Sequence, residues 1–226
     1  MSRVGVVLQA RMGSSRLPGK VLAPIAGRPM LLHILDRLRA ASTPDRIIVA
    51  TSVTPADDVV AGLVADYGVA CYRGDAADVL DRYWQATLVH DLALIVRATA
   101  DNPLVDPVEL DRLVALHGAT DADYCHAFGR LPLGVGVESF SRAALARSWR
   151  EGRAPNHREH VNEYIQERPD IFDIRALDVP EAKVAPHLRL TVDTPEDLER
   201  ARRVYDRLHR PGTQIRTEEV IAFCAS

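Results

Sequence analysis

Short apolar runs alternate with longer amphipathic stretches over the first two thirds of the chain. VGVVLQA (4–10), RIIVATS (46–52), VACY (69–72) and LALIVRA (92–98) are nearly continuous in apolar residues and rich in Val and Ile, the pattern of strands covered on both faces. Between them, PMLLHILDRLRA (29–40), PADDVVAGLVADYG (55–68) and AADVLDRYWQATLVH (76–90) repeat apolar residues at three- and four-residue intervals, which predicts helices. Thr54-Pro55-Ala56-Asp57, Asp106-Pro107-Val108-Glu109 and Thr194-Pro195-Glu196-Asp197 share one helix-start chemistry: a cap, a proline at the first helical position and an acid in the first turn. Gly68 and Gly118 stand where helices would close. Strands feeding capped helices predict an α/β domain whose mostly parallel sheet is flanked by helices. Ligands of such sheets bind beyond the carboxyl ends of the strands.

From about 121 to 190 the rhythm changes. DADYCHA and GVGVESFS read as strands, RAALARSWREG and HREHVNEYIQERP as helices, IFDIRALDV and HLRLTV as strands again. With no repeat, low-complexity tract or linker, residues 1–226 are expected to form a single domain, with 121–190 an excursion from its mixed sheet. The 226 residues are 47% hydrophobic and 26% charged with a net charge of -3, as in a soluble globular protein. That balance speaks against general nucleic-acid binding, which shows a broad basic surface. No apolar stretch approaches the length of a membrane span, and no charged-then-apolar leader opens the chain. Cys71, Cys125 and Cys224 are odd in number and widely spaced, which reads as reduced thiols of a cytoplasmic protein.

One stretch departs from this ordinary charge balance. LQARMGSSRLPGKVL (8–22) leaves the first strand and places Arg11, Arg16 and Lys20 among glycines and serines with no acid. Backbone amides and cations in such a loop can cradle phosphate oxygens. It is not the dinucleotide fingerprint, since G-x-G-x-x-G is absent. Nor is it a Walker A loop: five residues separate Gly13 from Gly19, Val21 follows Lys20, and Pro24, Gly27 and Pro29 oppose a helix there. Among the acids, Asp101 lies just past the strand LALIVRA, and Asp193 ends HLRLTV before the helix start at Pro195. Two carboxylates at strand ends can converge on one cation, whereas a plain structural role would make Asp101 a turn residue before Pro103 and Asp193 a helix cap.

The motif QARMGSSRLPGKVL resembles the signature A-R-x-G-S-x-R-L-P-G-K of the cytidylyltransferases that activate acidic sugars, most closely the spore-coat polysaccharide biosynthesis type, related to CMP-sialate and CMP-Kdo synthetases. The resemblance continues through RGDAADVLDRYWQA (73–86), IVRATADNPLVDP (95–107), REHVNEYI (158–165) and LRLTVDTPEDL (188–198), nearly the whole chain. It implies a Rossmann-like, glycosyltransferase-A-type nucleotidyltransferase domain that joins CMP from CTP to an acidic acceptor, an acid sugar or a phosphonate, and releases pyrophosphate. Arg11, Gly13, Ser14, Arg16 and Lys20 would contact phosphates, with Ala10, Ser15 and Ala98 also at the nucleotide and Arg73, Gly74 and Asp75 bordering base and ribose. Asp101 and Asp193 would hold Mg²⁺, which makes Arg11, Arg16, Lys20 and Asp101 the catalytic set. Glu138, Arg158, Glu159 and His160 would face the acceptor, and the chain would form a homodimer.

The chain departs from the family pattern at Ala100 and Asn102, where relatives read Gly and Cys, and at Gly136, where they read Asp. Blander readings stand beside several candidates: Asp75 as a cap, Arg158, Glu159 and His160 as a subunit contact, Trp84 and Trp149 as core residues. His157 and His160 lack a third ligand that would make them a zinc site. Two other functions stay open. A nucleotide-sugar glycosyltransferase would carry an Asp-x-Asp ligand pair, but the match Asp121-Ala122-Asp123 sits at the wrong end of a strand. A non-catalytic nucleotide-binding protein would bind CTP and turn nothing over.

Overall fold

The computed structural model describes residues 3–225. The chain runs β1 (Val4–Gln9), β2 (Pro24–Ile25), β3 (Arg28–Pro29), α1 (Met30–Arg39), β4 (Arg46–Ser52), α2 (Asp58–Asp66), β5 (Ala70–Gly74), α3 (Val79–Val89), β6 (Leu94–Thr99) and α4 (Pro107–Thr120). It continues through β7 (Tyr124–His126), β8 (Glu138–Ser141), α5 (Arg142–Glu151), α6 (Pro155–Glu159), α7 (Glu163–Gln166), β9 (Ile174–Ala176), α8 (Pro195–Leu208) and α9 (Thr217–Ala225). Seven strands form one sheet in the order β5-β4-β1-β6-β8-β7-β9. β5, β4, β1 and β6 are parallel, β8 runs antiparallel to both β6 and β7, and β9 is parallel to β7.

Alternation along the strands builds a core on each face. On β1, Val6 and Leu8 pack with α1, α4 and α8, while Val7 packs with Ile48, Ile95 and the Tyr83 ring of α3 on the other face. Two of the three expected helix starts are satisfied as their sequences demand, whereas Thr54 makes no side-chain cap and residues 55–57 form a 3-10 turn before α2. Asp106 accepts from the amides of Val108 and Glu109, and Thr194 and Asp197 form a reciprocal capping box at α8. Beneath α4, Lys183 Nζ lies 2.8 Å from Asp106 and 2.9 Å from Glu109, and the Thr217 hydroxyl donates to Asp106 at 2.6 Å, all buried. This cluster ties α4 to α9 and to the turn at 181–183.

The second half corrects several expectations. HREHVNEYIQERP does not form one helix: α6 ends at Glu159 and α7 begins at Glu163. Pro155 opens α6 after Ala154. Gly118 lies inside α4, which runs to Thr120 and closes on Asp121 in the left-handed region at φ 51°. HLRLTV forms no strand. Its one ladder contact is the bridge from Leu133 to Arg189, and the Val192 amide turns to the Asp101 carbonyl at 2.7 Å. Trp84 and Trp149 are half-buried and stack on each other between α3 and α5, with the Trp149 indole donating to Asp81.

Candidate active site

The strand ends β1, β6 and β8 open onto a cleft of about 710 Å³, lined also by the loop after β1 and the segment before α8. The loop is pinned at both ends. The Met12 amide donates to Asp57 Oδ1 at 2.6 Å, and the other carboxylate oxygen of buried Asp57 accepts from the Ser52 amide and hydroxyl. At the far end the Gly19 amide returns to the Met12 carbonyl at 3.0 Å. Lys20 then begins a single 3-10 turn and sends its ammonium into the cleft.

That ammonium lies 2.8 Å from the Val192 carbonyl, 3.0 Å from Asp193 Oδ1 and 3.4 Å from Asp101 Oδ2. Arg16 reaches the same Asp193 oxygen at 3.0 Å, and Arg189 holds the other oxygen. Asp101 also accepts from the Thr99 hydroxyl at 2.5 Å, and the Asn102 amide donates to that hydroxyl. Thr194, not Asp193, caps α8. Two carboxylates therefore converge on one cation. Such a hard-oxygen pair, completed by phosphate oxygens and water, suits Mg²⁺. Among the described residues no group of three or more His, Cys, Asp or Glu side chains could hold a metal by itself.

Ala10, Arg11, Gly13, Ser14, Ser15, Arg16, Lys20, Ala98 and Asp101 all line the cleft, as do Asp193, Glu138, Glu159 and His160. Arg11 is paired with Glu159 at 2.7 Å. Glu138 is buried in a network: it binds Arg97, to which it is registered across β6 and β8, and accepts from the Tyr124 hydroxyl and from Asn162 at 2.6 Å. Burial alone would favour a neutral Arg97, but Glu138 and the nearby tyrosines outweigh it and hold the guanidinium charged.

Four expected site residues lie outside the lining. Arg73 turns to the Ser52 and Thr54 carbonyls and to Asp58. The Asp75 carboxylate accepts from the amides of Ala77 and Asp78 in a tight turn that Gly74 leads into, and Asp78, not Asp75, caps α3. Arg158 straps α6 to α3 through Asp78 at 2.8 Å and to the Trp149 carbonyl. The 73–78 turn instead offers its Asp75 and Ala76 carbonyls to Arg82, a buried cation of α3 that does line the cleft. Asp121 and Asp123 are also elsewhere: Asp123 accepts the Asp173 amide at the start of β7.

Arg82, Arg97, Arg189 and Asp57 were not singled out from sequence. Arg97 carried a signal, a lone charge inside an apolar strand, and Arg189 carried one too, four residues before Asp193.

No helix among the described residues is long and apolar enough to cross a membrane. Residues 5–220 match the family model described as cytidylyltransferase. The chain is 34% identical over 212 residues to the spore coat polysaccharide biosynthesis protein SpsF of Bacillus subtilis, covering 92% of this chain and 88% of that protein. It is 30% identical to a 3-deoxy-manno-octulosonate cytidylyltransferase of Anaeromyxobacter sp. (strain K), over 89% of this chain and 97% of the relative. Among solved structures, a cytidylyltransferase from Leptospira borgpetersenii superposes with a TM-score of 0.92 at 28% identity, covering 100% of this chain and 94% of that one. A cation-bearing loop, a paired-carboxylate cleft and a match that spans both lead to one assignment: the chain belongs to the cytidylyltransferase family, a group of nucleotidyltransferases.

Proposed function

We propose that the chain transfers CMP from CTP to a small acidic acceptor, an acid sugar or a phosphonate, and releases pyrophosphate. The observation that carries this reading is the convergence of Arg16 and Lys20 with Asp101 and Asp193 in one cleft at the strand ends. Arg11, Arg16 and Lys20 bind the triphosphate and neutralise charge that grows on its bridging oxygen. Asp101 and Asp193 hold Mg²⁺, which when bound supplies Lewis-acid stabilisation of phosphate charge. An acceptor oxygen attacks the α-phosphorus in line, the bond to the β-phosphate oxygen breaks, and the electron pair leaves with pyrophosphate. Positioning and preorganised charge supply most of such catalysis. A carboxylate or phosphonate acceptor needs no general base. Glu138, Glu159 and His160 lie on the acceptor side, and the active form is a cytoplasmic homodimer.

Pyrophosphate release tests the reading. The chain is incubated with each of the four nucleoside triphosphates and a panel of acidic sugars and phosphonates. Release with CTP and at least one acid is expected; release with no acid, or from a sugar-nucleotide donor instead, overturns it.

A further inference from the structure

We propose that the 127–137 loop and Arg189 form an acceptor subsite selective for an acid with an apolar flank, an inference that rests on the transfer reading above. The cleft has two unlike halves. Where the triphosphate loop is polar, the other wall consists of Ala127, Phe128, Leu131, Pro132, Leu133 and Val137. Phe128 is 47% and Leu133 49% exposed, large apolar groups left open on the cleft. The charged residue within this stretch, Arg130, is paired with Asp178. Gly136 stands where the resembling family carries Asp, and a Cβ there would lie 3.3 Å from Leu131 Cδ1. The position therefore offers bare backbone beside Leu131 instead of a carboxylate.

This wall is fastened to the segment that carries Arg189. Gly134, at φ 95°, comes so close that a Cβ would lie 2.6 Å from the Thr191 nitrogen. The Leu133 amide donates to the Leu188 carbonyl at 2.9 Å, and its carbonyl accepts from Leu190 at 2.8 Å. Arg189 lies between these two bonded neighbours and lines the same cleft.

Charge balance then identifies the occupant. Arg16, Lys20 and Arg189 share Asp193 as counter-charge. When the triphosphate takes Arg16 and Lys20 and Asp193 takes the dication, Arg189 is left without a partner beside the apolar wall. Arg11 turns to the triphosphate with the other loop cations, and Arg97 keeps Glu138. An anionic group on the acceptor restores the balance through a charge-assisted bond. An acceptor apolar on one side fits this wall, because the cleft-lining side chains of 127–137 offer its hydroxyls no partner to replace water.

Fragment binding to the full chain tests this, using lactate, 3-phenyllactate and the uncharged 3-phenylpropane-1,2-diol as probes in calorimetric titrations. For the protein alone, both phenyl compounds should bind at least about tenfold tighter than lactate. CTP with Mg²⁺ should tighten 3-phenyllactate by roughly tenfold and leave the diol unchanged. Phe128→Ser and Leu133→Ser should erase the phenyl preference without altering CTP affinity, both side chains being half exposed. Arg189→Met should erase the CTP-dependent gain, and Arg189→Lys should keep part of it. Equal binding of the three probes, no binding of any, or an unaltered gain in Arg189→Met overturns the proposal. So does a changed solution mass in the Ser variants with the phenyl preference intact, which would make the wall an interface. CTP binding is read in the same samples, so its loss strikes the transfer reading, whereas a missing probe preference with CTP bound strikes only this inference.

Discussion

Replacing Asp193 by Asn separates the structural from the chemical work of this carboxylate. The change keeps size and hydrogen-bonding capacity but removes the charge facing Arg16, Lys20 and Arg189. Arg16 and Arg189 have side chains 60% and 44% exposed, so their pairs contribute little to stability. The Lys20–Asp193 pair is different, at 11% and 12% exposed. Its loss should cost about 2 kcal/mol, within the range for hydrogen bonds to charged groups, because Lys20 keeps the Val192 carbonyl and Asp101 as partners. At roughly 2–4 °C per kcal/mol for a chain of this size, Tm should fall by about 4–8 °C. Helix α8 should stay intact, since Thr194 caps it. Turnover should fall much further. A dication ligand is worth several kcal/mol in the transition state, or about a hundredfold or more in kcat. The assay is pyrophosphate release at saturating CTP and Mg²⁺, with thermal melts and circular dichroism on the same preparations. Near-normal turnover would refute the ligand role, and lost helix content would show that Asp193 supports α8 after all.

Lys20→Ala and Arg16→Ala should raise the KM for CTP by about tenfold or more, whereas Asp101→Asn should act mainly on kcat; unchanged KM in both loop variants sinks the loop assignment. Lys183→Met strands Asp106 and Glu109 in the interior and should destabilise the fold by roughly 3–5 kcal/mol, read by denaturant titration, with KM for CTP unaltered in the folded fraction. Burial works to raise the Asp106 carboxyl, but hydrogen bonds from Lys183 and Thr217 outweigh it and hold the group below its ordinary range. The stability it contributes is therefore whole above about pH 3.9 and lost as the pH falls through the lower folded value. Lys183 shifts the opposite way: burial lowers it, but its two carboxylate partners raise it further, so its contribution is whole below about pH 10.4 and lost on further rise. Melts across pH that keep full stability in acid would contradict the Asp106 assignment. Light scattering at micromolar concentration should return twice the 24.9 kDa chain mass, and a monomer would refute the dimer.

The parallel half was legible because burial on both faces leaves no choice of residue type. β1 and β4 fall within their apolar runs, β5 and β6 overrun theirs by two residues and one, and α1 and α3 fall within their amphipathic ones. The second half was not, because its signals depend on tertiary partners. HLRLTV alternates like a strand, yet the Arg189 carbonyl takes Arg200 and the Val192 amide takes the Asp101 carbonyl, so no ladder forms. Gly118 needs no left-handed backbone, and Asp121 adopts it instead. In the cleft the loop cations were visible as a charge cluster without acids. Arg82 was hidden within an amphipathic helix, whereas Arg97 stood out as a lone charge in an apolar strand. Asp57 was read as a first-turn acid, although its carboxylate reaches back to Met12 across 45 residues.

That reach has a consequence for the thermodynamics of nucleotide capture. A segment that must be frozen around a ligand gives up about 1–2 kcal/mol of backbone entropy per residue. Here much of that freezing is in place without a nucleotide: Met12 is anchored through Asp57, Gly19 returns to Met12, and Lys20 is held by three acceptors. Within the tip from Gly13 to Pro18 the Ser14 amide returns to the Met12 carbonyl, the Leu17 amide leans on the Ser14 hydroxyl and Arg16 reaches Asp193. Cutting the Asp57 tether with Asp57→Ala would enlarge the span that has to settle on each encounter. On the proposed reading such a variant would bind CTP with a less favourable entropy while Arg11, Arg16 and Lys20 stayed in place.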